Sequence, residues 1–102
     1  MIDADPHHLE TIKAILRRHV PDREVWAFGS RATRTAKKYS DLDLAVIGAT
    51  PLTLAQMAAL ENDFDESELP FKVDMVDWAT TSESFRRIIR RTAVLVQKPA
   101  ER

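Results

Sequence analysis

Two aspartates two positions apart, Asp41 and Asp43, are the residues in this sequence whose type and spacing most directly suggest chemistry. They belong to a run over 41–47 in which apolar residues alternate with others, a pattern typical of a β-strand. Residues two apart in a strand point to the same face, so the two carboxylates would lie side by side, roughly 7 Å apart along the backbone. Adjacent carboxylates repel each other unless a cation stands between them. Because Mg²⁺ prefers hard oxygen ligands, the pair predicts a magnesium site.

A third carboxylate is available on a second alternating run, from Phe71 to Asp77. When the apolar members of that run face the core, Asp74 shares the face of the Asp41 and Asp43 pair. Asp77 has the opposite parity and is expected to be a cap or loop residue. Asp74 is therefore the predicted third metal ligand, on the condition that the two strands are neighbours.

A glycine and a serine follow a short apolar run, Val25 to Phe28, which is expected to be a buried strand. Gly29 would let the backbone approach a ligand closely, because glycine has no side chain. If a helix begins at Ser30, its free N–H groups and its dipole favour a phosphate, to which the Ser30 hydroxyl could also donate. Four cationic residues follow that could neutralise phosphate charge: Arg31, Arg34, Lys37 and Lys38. The segment is the predicted phosphate site.

Length and composition limit the class of protein. The 102 residues fit one domain over 1–102, and 44% hydrophobic with 30% charged residues is ordinary for a globular protein. The sequence has no cysteine, which excludes a disulfide framework and a cysteine zinc site and suits the cytoplasm. A formal net charge of −1 does not favour direct nucleic-acid binding. No apolar stretch approaches the ~20 residues that span a bilayer, so no membrane association is expected.

Helices and strands are expected to interleave, which predicts an α/β (α+β) fold with helices packed on one small sheet. Asp5-Pro6 indicates a helix start, and the first helix should run to about His19. Thr53 is expected to cap a second helix. Its inner stripe is predicted to be Leu54, Met57, Leu60 and Phe64.

A third helix and a last strand are expected near the end of the chain. Thr80 and Glu83 have the spacing of a capping box, which predicts a helix opening there. Its inward residues are predicted to be Phe85, Ile88 and Ile89, with its four arginines largely outward. The apolar run over 94–96 predicts an edge strand.

Gly29-Ser30 followed by Ser40-Asp41-Leu42-Asp43-Leu44 resembles the signature of the DNA-polymerase-beta-type nucleotidyltransferase superfamily. The short chain, the strand around Asp74 and the helix after it resemble the minimal (MNT) branch, and the resemblance extends from the first helix to about Val96. It implies the nucleotidyltransferase fold, with a small mixed sheet. It further implies that Asp41 and Asp43 bind two Mg²⁺ ions, and that Asp74 helps to hold metal and prepares the attacking hydroxyl. The residues expected to contact the nucleotide are Gly29, Ser30, Arg31 and Ser40.

The same resemblance implies a function and a partner. MNT domains resemble antitoxins that pair with HEPN-domain ribonuclease toxins, and the implied reaction transfers AMP from ATP to a toxin tyrosine hydroxyl. A hetero-oligomer with the toxin is expected, with the third helix and the sheet edge near Val94 as candidate contacts. Two alternatives remain at this point: an antitoxin that neutralises its partner by binding alone, and a transferase that acts on tRNA or a small molecule.

The loop after Ser30 departs from the superfamily pattern. Many members have a second glycine about five residues after the first, where this chain has Arg34, and arginine resists the positive φ that glycine adopts. We therefore expect a loop that is more helical, or one that holds the nucleotide less tightly.

Overall fold

Helices and strands alternate along the computed structural model, which describes residues 4–33 and 40–100. The α-helices are α1 (Pro6–His19), α2 (Leu54–Asp65) and α3 (Glu83–Thr92). The strands are β1 (Val25–Phe28), β2 (Leu42–Val46), β3 (Val73–Asp77) and β4 (Val94–Gln97), and a 3₁₀ turn, Trp78–Thr80, links β3 to α3. This order confirms the mixed α/β class. Within the described ranges no helix has the length and apolar content needed to cross a membrane.

The strands form one mixed sheet in the order β3-β2-β1-β4. β1 pairs antiparallel with both β2 and β4, whereas β2 and β3 run parallel. The parallel pair needs a crossover connection, and α2 supplies it. β2 and β3 are thus neighbours, which is the condition on which the placement of Asp74 depended.

The two faces of the sheet are covered unequally. α1 and α2 pack on one face, where Leu42, Leu44 and Val46 of β2 join the larger apolar cluster. α3 packs on the other face through a smaller cluster made of Phe28, Ala45 and Ile89. Along β2 and β3, the aspartates predicted to bind metal alternate with residues of the larger cluster. Their side chains therefore lie on the face of the sheet that α3 covers.

The start of α2 differs from the prediction at one residue. Thr53 caps the helix as expected, and its hydroxyl accepts a hydrogen bond from the Gln56 N–H at 3.0 Å. Leu54, however, is 91% exposed, so its placement on the inner stripe was wrong. At ~100° per residue, Leu54 lies about 120° around the helix axis from buried Leu60. Leu52, just before the cap, joins the core instead.

The start of α3 also differs. Ser82 rather than Thr80 is the N-cap, and its hydroxyl accepts from the Phe85 N–H at 3.3 Å. Ile89 is buried as predicted, and Phe85 faces the sheet, where its ring packs edge-on against Phe28 while remaining 37% exposed. Ile88 is 52% exposed, so the inward prediction was wrong for Ile88. The physical reason is coverage: α3 lies alone on its face, and no second helix among the described residues covers its flank.

Candidate active site

The parallel pairing of β2 and β3 places Asp43 directly opposite Asp74. Asp41 lies just before β2, two residues from Asp43, and is exposed. The Asp74 side chain is half-exposed on the edge strand. Asp43 and Asp74 therefore share one sheet face, in the register that the alternation predicted.

The electrostatics of Asp43 reflect this arrangement. Burial raises the pKa of the Asp43 carboxyl, and the nearby carboxylates of Asp74 and then Asp41 raise it further. Negative charges that act on one another in this way are stabilised by a bound cation. The donor set, three carboxylates, is the chemistry that Mg²⁺ prefers.

The carboxylates do not form a complete metal cage. Among the described residues, no three histidine, cysteine, aspartate or glutamate side chains converge as a metal-binding group. The Lys72 ammonium lies 3.5 Å from Asp74 Oδ1, in an exposed pair that contributes little to stability. Mg²⁺ usually keeps waters and substrate phosphates as ligands, so a partial protein shell suits a nucleotide-bound ion.

Gly29 brings the backbone against these carboxylates. Its φ is +78°, in the left-handed region that side chains disfavour. A Cβ at this position would lie 2.8 Å from Asp43 Oδ2, closer than real Cβ contacts come. Both the conformation and the neighbouring carboxylate therefore require glycine here. The Gly29 N–H donates to Thr92 Oγ1 at 2.9 Å, so the end of α3 holds the turn.

The chain forms a turn after Gly29. The Gly29 carbonyl accepts from the N–H groups of Ala32 at 3.1 Å and Thr33 at 3.2 Å. Ser30 thus lies in a hydrogen-bonded turn and is half-buried, and the described residues up to Thr33 form no helix. Three of the predicted cations lie outside the described residues: Arg34, Lys37 and Lys38. The effect expected from Arg34 in place of the second glycine therefore stays a prediction.

Arg31 is buried at the junction of three segments. It is 6% exposed, and its Nε donates to the Ser40 carbonyl at 2.8 Å. Its guanidinium carbon stands 4.0 Å from the centre of the Phe71 ring, a cation–π geometry. Ser40, the last predicted nucleotide contact, therefore lies beside Arg31 and immediately before Asp41.

Sequence reasoning missed two residues of this site. Thr92 anchors the glycine turn and Phe71 stacks on Arg31, yet each is far along the chain from its partner. Asp77 was predicted correctly as a cap: its carboxylate accepts from the N–H groups of Leu52 and Ala79.

A mixed sheet with a glycine turn after its first strand, and paired carboxylates on the next two, is the architecture of nucleotidyltransferases. The chain belongs to the polymerase beta nucleotidyltransferase family, whose profile matches residues 10–101. This membership confirms the family and the fold that the motif predicted.

Three relatives illustrate the relationship. The Haemophilus influenzae protein named "Probable protein adenylyltransferase MntA" is 52% identical over 97 residues, which cover 95% of this chain and 85% of that protein. A crystal structure of a toxin–antitoxin with AMP-PNP matches with a TM-score of 0.74 at 25% identity, covering 88% of this chain and 73% of that chain. A tri-AMPylated Shewanella oneidensis HEPN toxin in complex with its MNT antitoxin matches with a TM-score of 0.69 at 22% identity, covering 90% and 71%. At 22% identity, the match to this last structure shows a similarity of fold.

Proposed function

We propose that this chain is an antitoxin of the cytoplasm that transfers AMP from ATP to a tyrosine hydroxyl of a HEPN ribonuclease toxin. The observation that supports it most directly is the register that sets Asp43 opposite Asp74, with Gly29 against Asp43. The relative at 52% identity, named as a protein adenylyltransferase, supports the same reaction. The relative with AMP-PNP supports ATP as the nucleotide and a toxin as the partner.

In the proposed reaction, the acceptor oxygen forms a bond to the α-phosphorus of ATP. The bond from that phosphorus to the oxygen bridging to the β-phosphate breaks, and pyrophosphate leaves. The hydroxyl proton passes to Asp74, whose half-exposed carboxylate can be reached from solvent. Two Mg²⁺ ions bound by Asp41, Asp43 and Asp74 would neutralise the charge that develops on the phosphate oxygens.

The glycine turn is the proposed phosphate-binding element. The Ser30 hydroxyl and backbone N–H groups of the turn after Gly29 would hold triphosphate oxygens, because successive N–H groups in a turn favour anions. Ser40, next to Asp41 and beside the turn, would also contact the nucleotide.

Transfer to a toxin can be tested by mass spectrometry. The chain is incubated with its purified cognate toxin, ATP and Mg²⁺, and the toxin is digested and analysed. We expect one or more adenylyl groups on tyrosine, loss of ribonuclease activity, and neither effect with Asp43→Asn. A toxin that is neutralised without gaining mass would instead make the chain a binding antitoxin. Label on tRNA and none on the toxin would make it a different transferase.

A further inference from the structure

A buried guanidinium stands behind the carboxylates of the candidate active site. Among the described residues, Arg31 is the one charged residue that is buried. Burial of a charge is unfavourable unless neighbouring groups compensate it. Its partners include the Ser40 carbonyl at 2.8 Å and the face of the Phe71 ring at 4.0 Å. The Phe71 ring is itself buried, so the face of the guanidinium that it covers is closed to a nucleotide.

Those partners tie together the three segments that build the site. Arg31 itself belongs to the turn that begins at Gly29. Ser40 immediately precedes Asp41, and Phe71 lies three residues before Asp74. The Leu42 N–H also donates to the Lys72 carbonyl at 2.9 Å, which joins the starts of β2 and β3 directly. The glycine turn, the start of β2 and the start of β3 are thus connected to one another through the Arg31 side chain and the hydrogen bond between Leu42 and Lys72.

We propose that Arg31 is a positioning residue that fixes Asp41 relative to Asp43 and Asp74, and that it does not bind the triphosphate. The inference rests on the proposed function, because it assumes that these carboxylates bind metal. Arginine suits the role, because its planar guanidinium can stack on the Phe71 ring while its Nε–H donates a hydrogen bond to the Ser40 carbonyl. The ammonium of lysine is a compact point charge and cannot make both contacts in this way.

The two roles of Arg31 predict different effects. Loss of a group that orients metal ligands lowers metal affinity by about 10- to 100-fold. If Arg31 orients Asp41, its loss should therefore weaken metal binding in the absence of nucleotide, and leave the KM for ATP nearly unchanged at saturating Mg²⁺. If Arg31 instead binds a phosphate, its loss should raise the KM for ATP and leave metal binding by the free protein unchanged.

The test uses Arg31→Lys, Arg31→Met and Phe71→Leu. Phe71 cannot bind a phosphate, so Phe71→Leu affects the site only through Arg31 and local packing. Phe64→Leu is the matched control, because Phe64 has the same ring and belongs to the same buried cluster as Phe71. Mn²⁺ binding without nucleotide is measured by electron paramagnetic resonance, and the KM for ATP is measured at saturating Mg²⁺ with the toxin as acceptor.

We expect the Mn²⁺ Kd to rise about tenfold or more in Phe71→Leu and in both Arg31 variants, and to stay near the wild-type value in Phe64→Leu. The positioning role is overturned if Phe71→Leu binds Mn²⁺ with the same Kd as Phe64→Leu. It is also overturned if the Arg31 variants raise the KM for ATP without changing the Mn²⁺ Kd. If Arg31→Met does not fold, Arg31→Lys and Phe71→Leu decide the question. A wild type that binds Mn²⁺ but transfers no AMP would defeat the proposed function, while the Mn²⁺ comparison would still test Arg31.

Discussion

At Gly29, the backbone conformation and a neighbouring carboxylate impose the same requirement. A residue with a side chain would pay about 1–2 kcal/mol for the left-handed conformation, and its Cβ would push against Asp43 Oδ2. We expect Gly29→Ala to lower both Tm and AMP transfer, with the larger effect on transfer because Asp43 must move. Thermal unfolding and mass spectrometry of the toxin measure the two quantities.

Gly48 provides a matched control for that substitution. A Cβ at Gly48 would meet the end of the flexible Arg23 side chain, and Gly48 follows the end of β2 whereas Asp43 lies near its start. Arg23 donates to the Thr50 carbonyl, so Gly48→Ala should disturb that contact and leave transfer intact. Equal loss of transfer in the two variants would mean that Gly29 has no special relation to the site.

The Asp43 carboxylate is predicted to be necessary for chemistry and unfavourable for stability. Burial and the charges of Asp74 and Asp41 disfavour its ionised form, as its raised pKa indicates. Asp43→Asn should therefore abolish AMP transfer and raise Tm, or leave it unchanged, in metal-free buffer at pH 7. Added Mg²⁺ should stabilise the wild type more than the variant. A variant that unfolds at a clearly lower temperature would show a structural role for Asp43.

Among the secondary-structure elements, strands were the more predictable. Their two-residue period alone places Asp43 and Asp74 on one face, once β2 and β3 are neighbours. Helical periodicity indicates which residues form an apolar stripe, but it does not show how much of that stripe the neighbouring elements cover. Ile88 belongs to such a stripe on α3 and is nevertheless exposed. Contacts between distant segments, such as Arg31 with Phe71, leave no periodic signal and could not be predicted.

Helices α1 and α2 are joined by an ionic contact whose pH dependence can be predicted. Asp63 Oδ2 lies 2.8 Å from His19 Nε2 and 2.8 Å from Arg18 Nη1. The hydrogen bond with His19, and then the Arg18 charge, hold the pKa of Asp63 below its ordinary value of 3.8. A carboxyl with a lowered folded-state pKa stabilises the fold above its unfolded pKa, and this contribution is lost as pH falls through the folded pKa.

We therefore expect Asp63→Asn to lower the urea midpoint at pH 7 and to lose its effect well below pH 3.8. Asp65→Asn is the matched control, because Asp65 is exposed on the same helix and makes no ion pair among the described residues. Urea unfolding of the wild type and both variants at the two pH values measures the difference. An Asp63→Asn effect of equal size at both pH values would contradict the ionic origin.

At the scale of the whole molecule, the unequal covering of the sheet suggests where a partner binds. Phe85 and Ile88 are exposed on α3, and Leu95 is exposed on β4 opposite Trp26, on the same sheet face. Phe85 also packs edge-on against Phe28, which lies opposite Asp43. A protein acceptor that reaches Asp43 would therefore meet apolar surface beside it.

We expect Ile88→Ser and Leu95→Thr to weaken the complex with the toxin. Leu54→Ser is the control, because Leu54 is still more exposed but lies on α2, across the sheet. Each is made in an Asp43→Asn background so that no modification occurs, and the Kd for the purified toxin is measured by calorimetry. Weakening by Leu54→Ser with no effect from the other two would place the interface on the opposite face.

The pairing of β4 with β1 also affects how the chain folds as it is synthesised. Residues 25–27 of β1 pair with residues 94–97, at the far end of the described sequence. Until that late segment leaves the ribosome, one edge of β1 has no partner, and an open apolar strand edge can pair with another chain. A nascent or truncated chain that ends before Val94 is thus expected to aggregate, because one edge of β1 would then be open.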